Sequence, residues 1–312
     1  MKRTPRHALI ILPLCSLLLG VADRLGAVAD GSDSGQETFV HQPDRLIREA
    51  RAAVALPHNR VYARQPHPAW LRGTMMRPPR NSDILPEFGH IGNVQQKKES
   101  FFAFMLPLVQ AENRRLTDLR QRLAYIKDHV RWGKELEAAD RAWLAAVTAE
   151  FRLTDLPWDS DTFWITLMRR VDTLPEHLVL VQAANESAWG TSRFAREGNN
   201  LFGQWCFSAG CGIVPDARPD GATYEVARFR SVSASVGSYM RNLNTGRSYR
   251  RLREIRAGQR AEGQDPDAVS LSVGLIHYSE RGQDYVEDIQ SMLRTNATVI
   301  EEVRDRSQLT SS

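Results

Sequence analysis

Every apolar run in this 312-residue chain is short for a bilayer span. The stretch from Ala8 to Ala22 holds 15 residues with Pro13 inside it, where a spanning helix needs about 20. Cysteine is scarce as well. Only Cys15, Cys206 and Cys211 occur, and neither a second cysteine pair nor a histidine pair stands near the last two, as a zinc site would need. Leu14 precedes Cys15 where a lipoprotein cleavage site needs a small residue, which sets a lipid anchor aside. An excess of one charge is also missing. Residues 1–29 hold four of the 41 Lys and Arg and one of the 37 Asp and Glu, leaving 37 against 36 in the rest. That balance argues against a nucleic-acid partner, because phosphate contacts need a sustained basic excess. It supports neither an acidic patch nor a basic tail, and no internal repeat is present.

What is present divides along the chain. Lys2, Arg3 and Arg6 precede the short apolar run, and Ala27-Val28-Ala29 offers a small-x-small cleavage pattern, so residues 1–29 read as a secretory signal peptide. Left uncleaved, the same segment would be a membrane anchor, and that alternative stays open. Residues 30–95 carry seven of the fifteen prolines without a sustained period, and read as a disordered Pro/Arg-rich tether. From Lys97 apolar residues recur at helical spacing, as at Leu116, Leu119, Leu123 and Ile126. Helices are expected near 97–131, 135–151 and 159–172, a helical subdomain over 96–172.

A further helix is expected to start at Thr173, whose hydroxyl would close a capping box with Glu176, and to stop at Gly190. Its residues are apolar or small almost all round, so it should be central. Alternation from Tyr224 to Phe229 suggests a small β-hairpin. Helical patterns return at 231–245, 266–276 and 281–293, ahead of a polar tail over 301–312. The expected fold class is α+β, mainly helical, with the second domain over 173–300. Cys206 and Cys211 are close in a chain that reads as exported, which favours a disulfide over free or metal-bound thiols.

Glu186 is the one charged residue between Glu176 and Arg193. A carboxyl on so apolar a helix is costly unless paired or neutral, and burial raises its pKa toward what a general acid needs. Helical geometry sets Gln182 and Trp189 on the same face, four before and three after. The competing reading is a salt bridge with Arg193 or another arginine.

The string Gln182 to Ser192, QAANESAWGTS, followed by Asn199-Asn200-Leu201-Phe202-Gly203, resembles the glucosaminidase family, whose helix carries a Glu-Ser-x-Trp-Gly segment and then Asn-Leu-Phe-Gly. The resemblance continues through Tyr224 to Phe229, Val236-Gly237-Ser238-Tyr239 and Tyr278-Ser279. Upstream, Phe101-Phe102-Ala103-Phe104 with Pro107 and Glu112-Asn113 is similar to the helical leader of the Bax branch, so the likeness covers roughly residues 92–300. Asn185 stands where the family more often has Ala or Leu.

The resemblance implies a lysozyme-like α+β fold and cleavage beside N-acetylglucosamine in the peptidoglycan glycan strand, with no metal and no cofactor. It implies that Glu186 is the catalytic acid and that Tyr278 lines the cleavage subsite, the alternative for Tyr278 being a core phenol. Asn200 and Phe202 would shape the groove floor or form a turn packed inside. Trp189, Trp205, Phe207, Tyr239 and Gln182 are further candidates near the sugar. Glycosidases usually carry two carboxylates, about 5–5.5 Å apart when retaining and 6.5–9.5 Å apart when inverting. Glu225 is the candidate for the second, with Asp216 and Asp220 as rivals, and the substrate's own acetamide is the alternative to any of them. The expected activity is that of an exported, periplasmic endo-β-N-acetylglucosaminidase. Its rivals are a lytic transglycosylase and a degenerate domain that binds peptidoglycan as a scaffold.

Overall fold

Asn93 accepts a hydrogen bond from the Gln96 amide at 3.0 Å and so starts α1, Val94–Arg131, a 38-residue helix that carries on through Pro107. The computed structural model describes residues 84–309 except 217, 219 and 220. The expected signal peptide, most of the expected tether, Asp220 and residues 310–312 lie outside those. Within the expected tether, residues 88–90 form a 3-10 turn and Phe88 is buried against Phe101 and Phe104. Structure therefore begins earlier than the proline-rich composition suggests, because one aromatic side chain anchors the segment.

Two expected helices follow as α2, Ala138–Glu150, and α3, Asp161–Arg170, the latter capped by Ser160 accepting from the Phe163 amide. The next, α4, Glu176–Ser187, differs at both ends from the expected pattern. It starts behind Pro175 with no side-chain cap, and the Thr173 hydroxyl instead accepts from Arg260 at 2.8 Å. It stops before Gly190, with Ala188 and Trp189 in left-handed conformation. Ser187 closes the end by donating to the Ala183 carbonyl and accepting from the Gly190 amide. Gly190, at φ +77°, passes so close to the Phe88 ring that a Cβ there would stand 2.7 Å from it. Leu178, Val179, Leu180, Val181, Ala183 and Ala184 are all fully buried, so α4 is the central helix as its composition requires.

After α5, Arg193–Gly198, comes a small antiparallel sheet of β1, Trp205–Cys206, β2, Gly212–Ile213, and β3, Glu225–Ala227, in the order β1-β3-β2. The expected self-contained hairpin at Tyr224 to Phe229 is thus the middle strand of three. Its partners come from 205–213, where Cys206 pairs with Glu225 and Gly212 with Ala227. A Cys206–Cys211 disulfide ties the loop joining the outer strands.

Four further elements complete the fold: α6, Val232–Thr245; α7, Arg250–Ala261; α8, Ala268–Ser272; and α9, Gln283–Leu309. Helix α7 carries five arginines and escapes the apolar-period test. It packs nonetheless, because Arg256 is buried beside Asp172, which also meets Arg120 and Arg260. Helix α9 runs well past the expected end at 293, burying Val299, Ile300 and Val303, so residues 301–309 continue the helix where a polar tail was expected. Helices α1 and α9 both pack on α4, and one core takes in side chains from Phe88 to Val303. The architecture is α+β and mainly helical, and among the described residues no helix is long and apolar enough to cross a membrane.

Candidate active site

The last turn of α4 brings Glu186 to the edge of the core, where it is half-buried. Its Oε1 accepts from the Tyr285 hydroxyl at 2.8 Å and from the Asn185 amide at 3.1 Å. No cation pairs with it among the described residues, and Arg193 bonds instead to Asp216 at 2.6 Å and to the Val214 carbonyl at 2.9 Å. The salt-bridge reading of Glu186 therefore finds no partner among the described residues. Burial holds its pKa above the ordinary carboxylate value, against the opposing pull of the two donors. Oε2 faces Gly203: a Cβ on that glycine, at φ +61°, would stand 3.7 Å from it.

Behind the carboxyl stands a chain of buried polar groups. Gln182 donates from Nε2 to the Tyr285 hydroxyl at 2.8 Å and accepts from the Tyr239 hydroxyl. Aromatic rings wall this chain. Tyr278 stacks on Tyr285 with centroids 5.4 Å apart, and Phe202 stacks on Tyr239 at 3.9 Å. Burial, and then the nearby Glu186 carboxylate among other groups, pushes the Tyr278 and Tyr285 phenols well above their usual value, so both stay protonated. Tyr285 is a residue that sequence reasoning missed. It sits one helical turn before Ile289 and two before Leu293 on the buried stripe of α9, a spacing visible in the sequence.

The residues singled out from the sequence fall into different places. Gln182 shares the face of Glu186 as expected, but it, Tyr239, Asn200 and Phe202 are buried and hold the site from behind. Asn200 secures the 200–204 turn by donating to the Gln204 and Ala227 carbonyls and accepting from the Phe202 and Gln204 amides. Gln204 fastens that turn to α6 through Ser235 and Ser238. Tyr278 lies beside the site, yet its hydroxyl donates to the Phe202 carbonyl at 2.7 Å.

Trp189 leaves the face of Glu186, since the chain turns left-handed at Ala188, and its ring meets Phe101 and Phe102 edge-on with Lys98 above it. Trp205 is partly exposed against Tyr224, and Phe207 is 75% exposed on the disulfide loop. Glu225 is buried with both oxygens engaged, Oε1 by the Gly210 amide at 2.9 Å and Oε2 by the Gly212 amide at 2.7 Å. Those backbone donors hold its pKa below the ordinary value. It braces the loop that the disulfide closes. Asp216 is exposed and paired with Arg193.

The class is that of a mainly helical α+β protein with a desolvated glutamate, unpaired with any cation among the described residues, at the edge of its core and backed by tyrosines. Sequence comparison gives that class its family. Residues 162–298 match the model of the Glucosaminidase family, described as mannosyl-glycoprotein endo-beta-N-acetylglucosaminidase. Protein bax of Escherichia coli (strain K12) is 31% identical over 222 residues, spanning 70% of this chain and 77% of that protein. The chain belongs to the glucosaminidase family and is Bax-like within it. No solved structure matches it.

Proposed function

We propose that the protein is an endo-β-N-acetylglucosaminidase that hydrolyses β-1,4 bonds of peptidoglycan, with Glu186 as general acid. The observation that carries this reading is the Glu186 carboxyl itself. It is desolvated, held by neutral donors only, and its pKa is raised by burial, so it keeps a proton nearer neutrality than a solvated carboxyl does. The glycan lies between the helical core and the β lobe, and Glu186 protonates the leaving glycosidic oxygen. The positive charge that develops on the sugar is met by the substrate's own acetamide oxygen, and a water then adds at the anomeric carbon and returns a proton to Glu186. Support for that choice is the engagement of Glu225 by two loop amides and of Tyr278 by the Phe202 carbonyl, so that neither is free to meet the charge and no second carboxylate stands beside Glu186 among the described residues. The protein acts in the cell envelope after export directed by residues 1–29, and needs neither metal nor cofactor.

The same single carboxylate also suits a lytic transglycosylase, which leaves an anhydro end. Mass spectrometry of digested sacculi tests both. Wild-type protein should release fragments with reducing N-acetylglucosamine ends, and Glu186→Gln should release none. Anhydro ends would replace hydrolysis by transglycosylation. Binding to sacculi without any fragment, unaltered in Glu186→Gln, would make the protein a scaffold.

A further inference from the structure

We propose that Tyr239, Gln182 and Tyr285 form a one-way hydrogen-bond relay that holds the proton of the acid on Oε2 of Glu186, the oxygen facing Gly203. The proposal deepens the reading of Glu186 as the acid and adds three positioning residues to it.

The direction follows from how the Gln182 amide lies, its oxygen toward Tyr239 and its nitrogen toward Tyr285. The Tyr239 hydroxyl, fully buried, gives its one proton to Gln182 Oε1. That bond orients the amide, so Nε2 must point the other way, and it donates to the Tyr285 oxygen. With that lone pair taken, the Tyr285 proton turns to Glu186 Oε1. Asn185 donates to the same oxygen. Oε1 thus faces two donors and has no room for a proton of its own. Among the described residues no hydrogen bond reaches Oε2, so the carboxyl proton resides there. Gly203 is the residue beside Oε2, and its missing side chain leaves open the approach by which a glycosidic oxygen can reach that proton.

The titratable groups facing Glu186 are Tyr285 from α9, Tyr239 from α6 and Tyr278 from the loop before α9, and no charged side chain acts on it among the described residues. All three phenols stay neutral through the working range, so the relay is a fixed dipole. Its donation favours the Glu186 anion and restrains the upward push of burial. The opposite polarity, with Glu186 donating from Oε1 through Tyr285 to Gln182, would favour the neutral acid and reverse every sign.

The test is the Glu186 titration followed by NMR of protein carrying 13C-labelled glutamate side chains, with the Glu186 resonance assigned by its loss in Glu186→Gln. Tyr285→Phe removes the last donor and Tyr239→Phe releases the amide to turn, while each ring keeps its stacking. Both variants should raise the Glu186 pKa, Tyr285→Phe by about one pH unit and Tyr239→Phe by less. The alkaline limb of muropeptide release should move by the same amount. An unchanged or lowered pKa in either folded variant overturns the relay. A wild type that releases no fragment at any pH would instead remove the hydrolase reading, and the titration would still decide the relay.

Discussion

Glu186 and Asp172 are both carboxylates withdrawn from water, and their neighbours drive them apart. Around Asp172 burial is the strongest influence and acts upward, yet Arg256, Arg120 and Arg260 together outweigh it and hold the pKa low. Glu186 has no such partners, so burial prevails. Its folded-state pKa lies above the unfolded value of about 4.3, and the folded protein binds that proton more tightly. The resulting stabilisation is complete below about pH 4.3 and is lost as pH rises through the folded value. Glu186→Gln keeps the shape and removes the ionisation. Thermal melts should therefore show the variant gaining on wild type from pH 5 to pH 8. A variant destabilised at pH 8 by about 3–5 kcal/mol would mean that an ion pair had been broken, and the acid assignment would fall with it. The isolation of Glu186 on an apolar helix was legible in the sequence. Whether an arginine would pair with it was not, because a salt bridge depends on separation in space: Arg193, seven residues on, reaches Asp216 instead.

At the scale of elements, the β lobe is held by covalent and electrostatic braces in place of a core of its own. The disulfide closes a short loop, worth about 2 kcal/mol on the chain-entropy argument, and Glu225 accepts two amides of or beside that loop. Glu225→Gln should retain most of the proposed hydrolysis while lowering the denaturation midpoint of the lobe, since an amide oxygen replaces only one acceptor. Loss of turnover by orders of magnitude in a folded Glu225→Gln protein would restore it as the second carboxylate. Gly190 governs the exit from α4 in a different way. Alanine there meets both an unfavourable φ and the Phe88 ring at 2.7 Å, so Gly190→Ala should cost about 1–3 kcal/mol in urea unfolding. A neutral effect would show that Phe88 moves aside freely. The close cysteine pair was readable from spacing, whereas the sheet order was not. Strands of two or three residues carry too little alternation, and the partners of β3 lie up to about 20 residues upstream.

Across the whole molecule, Asp172 joins parts distant in sequence. It meets Arg120 on α1 and Arg256 and Arg260 on α7, and Arg256 also donates to the carbonyls of Arg169 and Thr173. Removing the carboxylate leaves three guanidinium groups together with little water around them. Asp172→Ala should cost about 3–5 kcal/mol in chemical denaturation without altering the chemistry at Glu186. The sign with pH is opposite to that of Glu186: this stabilisation is present above the unfolded carboxylate pKa and is lost as pH falls through the depressed folded value. A denaturation midpoint unchanged at neutral pH would show that the cluster is not a tie between α1 and α7.

Local chemistry written along the chain decided the long helix α1, the buried character of α4, the close cysteine pair and the isolated carboxyl of Glu186. Each of these depends on residues within a few turns of one another, where periodicity and capping act directly. Tertiary structure alone decided the rest. It turned Trp189 away from Glu186, buried an arginine-rich helix against Asp172, and brought Tyr285 from 99 residues away to the acid. These outcomes follow from desolvation and hydrogen-bond direction between distant segments, and both exist only once the chain has closed on itself.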